Sequence, residues 1–180
     1  FQSGEPVREK EGNSAFQDLM YILTLESAAG MERAFGIPSM ADHYMQIASA
    51  IRGTIRTKYW DAARGLFADT YDHRSFSQHV NSLAILAGIV AGEEATEVME
   101  RTLNDPSLIQ ATIYFRYYVH QALKAAGMGD RLLDNMQIWR DQMALGLTTW
   151  AEMPEPTRSD CHAWGASPNI EFFRILLGID

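Results

Sequence analysis

Cysteine is almost missing from this 180-residue chain, which carries one thiol, Cys161. A single cysteine excludes an internal disulfide and a cysteine zinc site, and it leaves the redox compartment open. Positive charge is scarce as well: 15 Lys and Arg face 23 Asp and Glu, a formal net charge of −8. Nucleic-acid phosphates demand a basic surface, so nucleic acid is not an expected partner. No apolar run approaches the roughly 20 residues that cross a bilayer, and no signal peptide is visible, so no membrane role is expected. Nothing in the sequence says whether the compartment is cytoplasmic or periplasmic. His43, His73, His79, His120 and His162 form no i, i+4 pair and no His-Glu-x-x-His arrangement, so neither a metal nor any other cofactor is expected. Cys161 has no evident activating base nearby in sequence and reads as a small buried residue.

What is present is apolar residues, 47% of the chain, enough for one core of ordinary size. Phe1-Gln2-Ser3-Gly4 reads as the scar of a tag-removal site, followed by a polar linker, so residues 1–12 stand apart from a fold expected over 13–180. From Asn13 onward the pattern is helix after helix. Phe16, Leu19, Met20 and Leu23 follow the spacing of one buried helical face. Gly36 and Pro38 break it, and Ser39 is the expected N-cap of a second helix burying Tyr44, Ile47, Ala48, Ile51 and Ile55.

Tyr59–Asp72 has short aromatic pieces around Gly65, which suggests a small β-ribbon. Helices resume near Ser77, over Glu94–Leu103 and over Thr112–Ala126, the last with Phe115, Tyr118, Val119 and Ala122 on one face. Gln78, His79 and Asn81 fall at a helix start, where capping or loop anchoring is the ordinary use of such residues. Leu132, Met136, Trp139 and Met143 form another stripe, and Asn169–Leu177 closes the chain as a short helix. The expected fold is all-α, about three antiparallel helical hairpins without a solenoid-length sequence repeat.

Leu147–Pro168 carries no helical or alternating period, and loops of about twenty residues in compact domains are usually functional or disordered. Its Trp150, Trp164, His162 and Cys161 are foreign to disordered composition. Carboxylates (Glu152, Glu155, Asp160), a guanidinium (Arg158), an imidazole and two indoles suit a sugar site. Each also has a structural reading: Asp160 pairs with Arg158, Trp164 packs the loop base, and Glu152 is a solvated carboxylate.

Four segments resemble the catalytic domain of bacterial α-L-rhamnosidases, glycoside hydrolase family 78. They are Tyr59-Trp60-Asp61 with Gly65-Leu66-Phe67, then Ser77 to Ala84, then Thr112 to Tyr118, then Thr148-Thr149-Trp150-Ala151-Glu152 followed by Ser159-Asp160-Cys161-His162-Ala163-Trp164. The resemblance implies the C-terminal half of an (α/α)6 toroid of six hairpins, acting on a rhamnoside by inversion. Glu152 would then be the general base, His162 would bond sugar hydroxyls, and Trp164, Trp150 and Tyr114 would contact the sugar, with Arg116 a further candidate beside Tyr114. Gly165 stands where the family often has a small residue such as Ser. The family's general acid has no counterpart here, so this segment alone is expected to be inactive. A halved toroid would also expose apolar surface, and a homo-oligomer through that cut edge is expected. The competing readings are a helical scaffold for protein partners and a toroid that binds carbohydrate without cutting it.

Overall fold

The computed structural model describes residues 6–7, 12–153 and 156–179. The scar at the start, most of the linker and Glu155 lie outside the described residues. The fold is all-α with one two-stranded ribbon among the described residues. No described helix is long and apolar enough to cross a membrane.

Helix α1, Ala15–Phe35, starts where the Ser14 hydroxyl accepts the Gln17 N–H at 3.4 Å. It buries Ala15, Leu19, Ile22, Leu25 and Ala29, while Phe16, Met20 and Leu23 of the expected stripe are only partly covered. The stripe is wider than expected because α1 meets two neighbours, its hairpin partner α2 (Pro38–Lys58) and α3 (Gln78–Leu86).

Ser39 does not cap α2. Proline, with its fixed φ, takes the first helical position, and Ile37 becomes the N-cap. The Ile37 N–H is satisfied by the Glu32 carboxylate reaching back from α1, at 2.7 Å. A Cβ at Gly36 would meet that carboxylate, which would have to swing aside and give up the Ile37 N–H. The short turn between them sets the two helices antiparallel, and Arg52 pairs with Glu26 across the packed face.

The expected ribbon is present: β1, Trp60–Asp61, pairs antiparallel with β2, Leu66–Phe67. Asp61 Oδ1 accepts the Ala63 and Arg64 N–H groups at 2.9 and 3.0 Å, and Gly65 supplies the positive φ of +62° that closes the turn.

Helix α3 is short and buried on every side from Gln78 to Ile85, so its polar residues must find partners inside. The Ser77 hydroxyl caps the Val80 N–H at 3.1 Å. It also donates to the buried Asp69 at 2.6 Å. Burial raises the Asp69 pKa against these hydrogen bonds. Asn81 Oδ1 accepts from Phe67 N at 2.8 Å, and its Nδ2 donates to Phe67 O at 3.1 Å and Ser77 O at 2.9 Å. Gln78 accepts from Ala111 N at 3.0 Å and donates to Thr102 O at 3.3 Å. These residues anchor the helix start, as the sequence offered.

Helices α4, Gly92–Asn104, and α5, Ile113–Ala125, complete the main core. The His79 ring lies 4.3 Å from Phe115, and Phe16 lies 5.8 Å from Phe115. The starts of α1, α3 and α5 therefore meet at one end, three parallel helices whose hairpin partners return alongside.

The third hairpin is less regular. Two short 3-10 turns, Gly129–Arg131 and Leu133–Asn135, precede α6, Gln137–Ala144. Leu132, Met136 and Trp139 pack on Ile113 as a second cluster. Met143, expected on that stripe, is 56% exposed. Gln142 takes the inward position instead because its amide clamps Ala151, accepting from N at 2.9 Å and donating to O at 3.3 Å. After the long loop come a 3-10 turn, Ala163–Ala166, then α7, Pro168–Glu171, and a wide π-type turn, Phe172–Leu176.

Asn81→Ala strips partners from the buried backbone of Phe67 and Ser77. Each orphaned group costs about 1–3 kcal/mol, so urea denaturation should show roughly 2–4 kcal/mol of lost stability. A loss under about 0.5 kcal/mol, the scale of an ordinary surface change, would show that the clamp is dispensable.

Candidate functional site

The loop after α6 folds back on itself as an irregular hairpin. The Glu152 N–H donates to Ser159 O at 2.9 Å, the His162 N–H to Trp150 O at 2.8 Å, and the Thr149 hydroxyl to Asp160 O at 2.5 Å. With Gln142 clamping Ala151, these bonds satisfy backbone that has no helix or sheet partner. The turn Ala163–Ala166 then presses the loop end onto α5.

Glu152 sits inside this hairpin with its side chain 14% exposed. Arg158 Nε donates to its Oε2 at 2.9 Å and Nη2 donates to Oε1, a two-pronged grip on both oxygens. His162 Nε2 lies 3.6 Å from Oε1, beyond hydrogen-bond reach, and its Nδ1 is buried without a partner. The His162 ring packs edge-on to Trp164 at 4.5 Å, and Trp164 packs edge-on to Tyr114 at 5.3 Å. Carboxylate, imidazole, indole and phenol thus follow one another across the loop to the first turn of α5.

Trp164, 51% exposed, forms one wall of an open hollow of about 360 Å³. Tyr114, Tyr117 and Tyr118 of α5 form the other, with Ser167 at its edge. Burial, reinforced by Tyr114, raises the Tyr118 pKa, so that phenol remains a proton donor. A hollow walled by aromatic side chains can receive a ring that is apolar on its faces.

No family model and no curated protein matches the chain. Solved structures do, two of them rhamnosidases. A GH78 family rhamnosidase of Bacillus sp. GL1 superimposes with a TM-score of 0.79 at 25% identity over 91% of this chain. A Klebsiella oxytoca rhamnosidase, solved with rhamnose bound, superimposes with a TM-score of 0.80 at 21% identity over 92% of this chain. The chain resembles GH78 rhamnosidases. It spans only 19% of the Bacillus chain and 34% of the Klebsiella chain.

Within this rhamnosidase-like segment the structure brings Trp164 and Tyr114 together at the hollow, while Glu152 and His162 do not line it and lie behind Trp164, linked to it through the His162 ring. It does not bring Trp150 to the same side. That indole packs with the second cluster and, with Trp139, lines a separate hollow of about 230 Å³. Arg116 does not line the aromatic hollow either. Its Nε is buried without a partner, and burial lowers its pKa. Arg158 pairs with Glu152 rather than Asp160, because the hairpin turns the two sequence neighbours apart. Cys161 is exposed, not buried.

Several supporting residues carried little signal in the sequence. Trp139 Nε1 donates to Gly165 O at 2.6 Å, and a Cβ at Gly165 would lie 2.5 Å from Trp150 Cβ. The fully buried His120 and Glu171 join α5 to α7 through Nδ1 and Oε2 at 2.7 Å. These two are 51 residues apart, and no local spacing announces them. Gly165 was legible only as a small residue.

Gly165→Ala should destabilise the chain by roughly 1–3 kcal/mol, the usual cost of forcing an extra methyl group into a packed contact. The same variant should change tryptophan fluorescence, because Trp150 must move. Unchanged melting and emission would show that the loop yields freely at this contact.

Proposed function

We propose that residues 13–180 are the base-bearing half of an inverting α-L-rhamnosidase domain with an (α/α)6 toroid. The single observation that carries the reading is Glu152, a sheltered carboxylate followed by an imidazole and then by an indole that walls an aromatic hollow. The likeness to two rhamnosidases supports the same chemistry and points to a carbohydrate substrate.

Inversion requires two carboxyl groups roughly 6.5–9.5 Å apart, with the attacking water between base and anomeric carbon. Glu152 takes a proton from that water as it attacks, and the resulting sugar carries the opposite anomeric configuration. The leaving oxygen needs a proton at the same moment, and that acid belongs to a segment outside this one. Trp164 and Tyr114 pack the sugar, and His162 meets its hydroxyls from beside the base. Trp150 holds the loop in place from behind.

In the full-length enzyme, Glu152→Gln should lower kcat on an aryl α-L-rhamnoside by about 100- to 10,000-fold, the usual contribution of one acid–base group. Proton NMR of early product should show inversion. Wild-type turnover in the variant, or retained configuration, would overturn the assignment. Residues 13–180 alone should show negligible turnover.

Phe173, Leu177 and Ile179 at the end of the chain, and Leu145 after α6, are exposed apolar side chains. Their exposure supports association of the isolated segment through this edge. Light scattering should find dimers or larger species, and a monodisperse monomer would refute association.

A further inference from the structure

We propose that Arg158 is the positioning residue of the Glu152 carboxylate, holding the plane in which it meets the attacking water. The inference rests on the reading of Glu152 as the base. Backbone bonds across the hairpin set the two side chains facing each other. Glu152 N–H meets Ser159 O at 2.9 Å, and His162 N–H meets Trp150 O at 2.8 Å. Arg158 then comes in from solvent, 77% exposed, to a carboxylate that is 14% exposed.

The guanidinium is planar, and its Nε and Nη2 donors hold Oε2 and Oε1 together. A two-pronged grip of this kind fixes the plane of the carboxylate as well as its place, which one ammonium donor cannot do. An ionised carboxylate has about four lone-pair sites, and the fork uses one on each oxygen. One lone-pair site is left on each oxygen, and the held plane fixes the direction in which either can receive a water.

Stability is not what this contact supplies. Ion pairs with a highly exposed partner are worth little to folding. A variant lacking the guanidinium should fold normally and lose only the fixed orientation of the base. That separates a positioning role from a structural one.

The test compares Arg158→Ala, Arg158→Lys and Glu152→Gln in the full-length enzyme on an aryl α-L-rhamnoside. Misplacing a reacting group by about 1 Å can cost roughly 100-fold, so Arg158→Ala should lower kcat by about 10- to 100-fold. KM should stay within about twofold of wild type, because the lost orientation acts in the transition state rather than in binding. Arg158→Lys should not restore the rate, free guanidinium ion added to Arg158→Ala should restore part of it, and urea melting should be unchanged. An unaltered kcat in Arg158→Ala overturns the proposal, as does a raised kcat, which would mark the contact as a latch. A raised KM with unaltered kcat also overturns it, assigning Arg158 to substrate contact.

The two readings separate cleanly. Full turnover in Glu152→Gln removes the base and the role of Arg158 with it. Lost turnover there beside an intact Arg158→Ala removes only the latter. Independently of activity, nitrogen-edited NMR of the chain should show a slowly exchanging Arg158 Nε–H that Glu152→Gln abolishes, and its absence in wild type would refute the grip.

Discussion

The closeness of Trp150 to Gly165 is the contact on which the candidate site depends. There is no room for a Cβ at 165: Trp150 Cβ would lie 2.5 Å away and Ile113 Cδ1 3.2 Å away. The Gly165 carbonyl is also held by the Trp139 indole at 2.6 Å. Both ends of the hairpin are thus pressed onto α5 and α6. Glu152 lies two residues after Trp150, and His162 three residues before Gly165. Their approach to 3.6 Å follows from that closure rather than from any attraction between them. Trp150 accordingly acts from behind the site, where its bulk sets the spacing of the loop.

The end of the molecule where the site forms is held by polar groups that burial forces into partnership. Helix α3 has no solvent face from Gln78 to Ile85, and Ser77, Gln78 and Asn81 at its start are committed to backbone that would otherwise be orphaned. Asn81 fixes the ribbon, Gln78 fixes the entry to α5, and Ser77 holds Asp69, whose backbone carbonyl receives the Ala15 N–H at 3.0 Å. The starts of α1, α3 and α5 are thereby aligned. Tyr114 stands in the first turn of the third of these helices, so the aromatic hollow inherits its position from contacts made well away from it.

Spacing and residue type were sufficient for α1 to α5, the ribbon and the anchoring of Gln78 and Asn81, because each is a local consequence of them. They did not reveal the 3-10 turns before α6, nor that the helix expected over Asn169–Leu177 is a four-residue α7 followed by a π-type turn. They misplaced Ser39, since proline settled the start of α2, and Met143, since Gln142 was needed inward, and they put the exposed Cys161 inside. The loop's importance was legible from its length and content, and Glu152 from a family pattern. Arg158 was visible as a charge, but its partner was decided by hairpin bonds between residues 149 and 162. The His120–Glu171 pair depends on packing of α7 against α5, which local spacing does not encode.

The base and its hollow differ in how much of the fold they require. Glu152 is positioned by bonds within its own hairpin and by Gln142 of the adjoining helix, all inside about twenty consecutive residues. Trp164 and Tyr114 come from elements some fifty positions apart in sequence, one from the loop and one from α5, and their hollow is open on the remaining side. A carboxylate held so locally keeps its geometry whatever covers the rest of the bowl. On the proposed rhamnosidase reading, a sugar would by contrast be enclosed and protonated from outside this segment. The division of labour in the proposed enzyme therefore follows the division of the chain, with water activation encoded in one short hairpin and substrate enclosure shared across the domain.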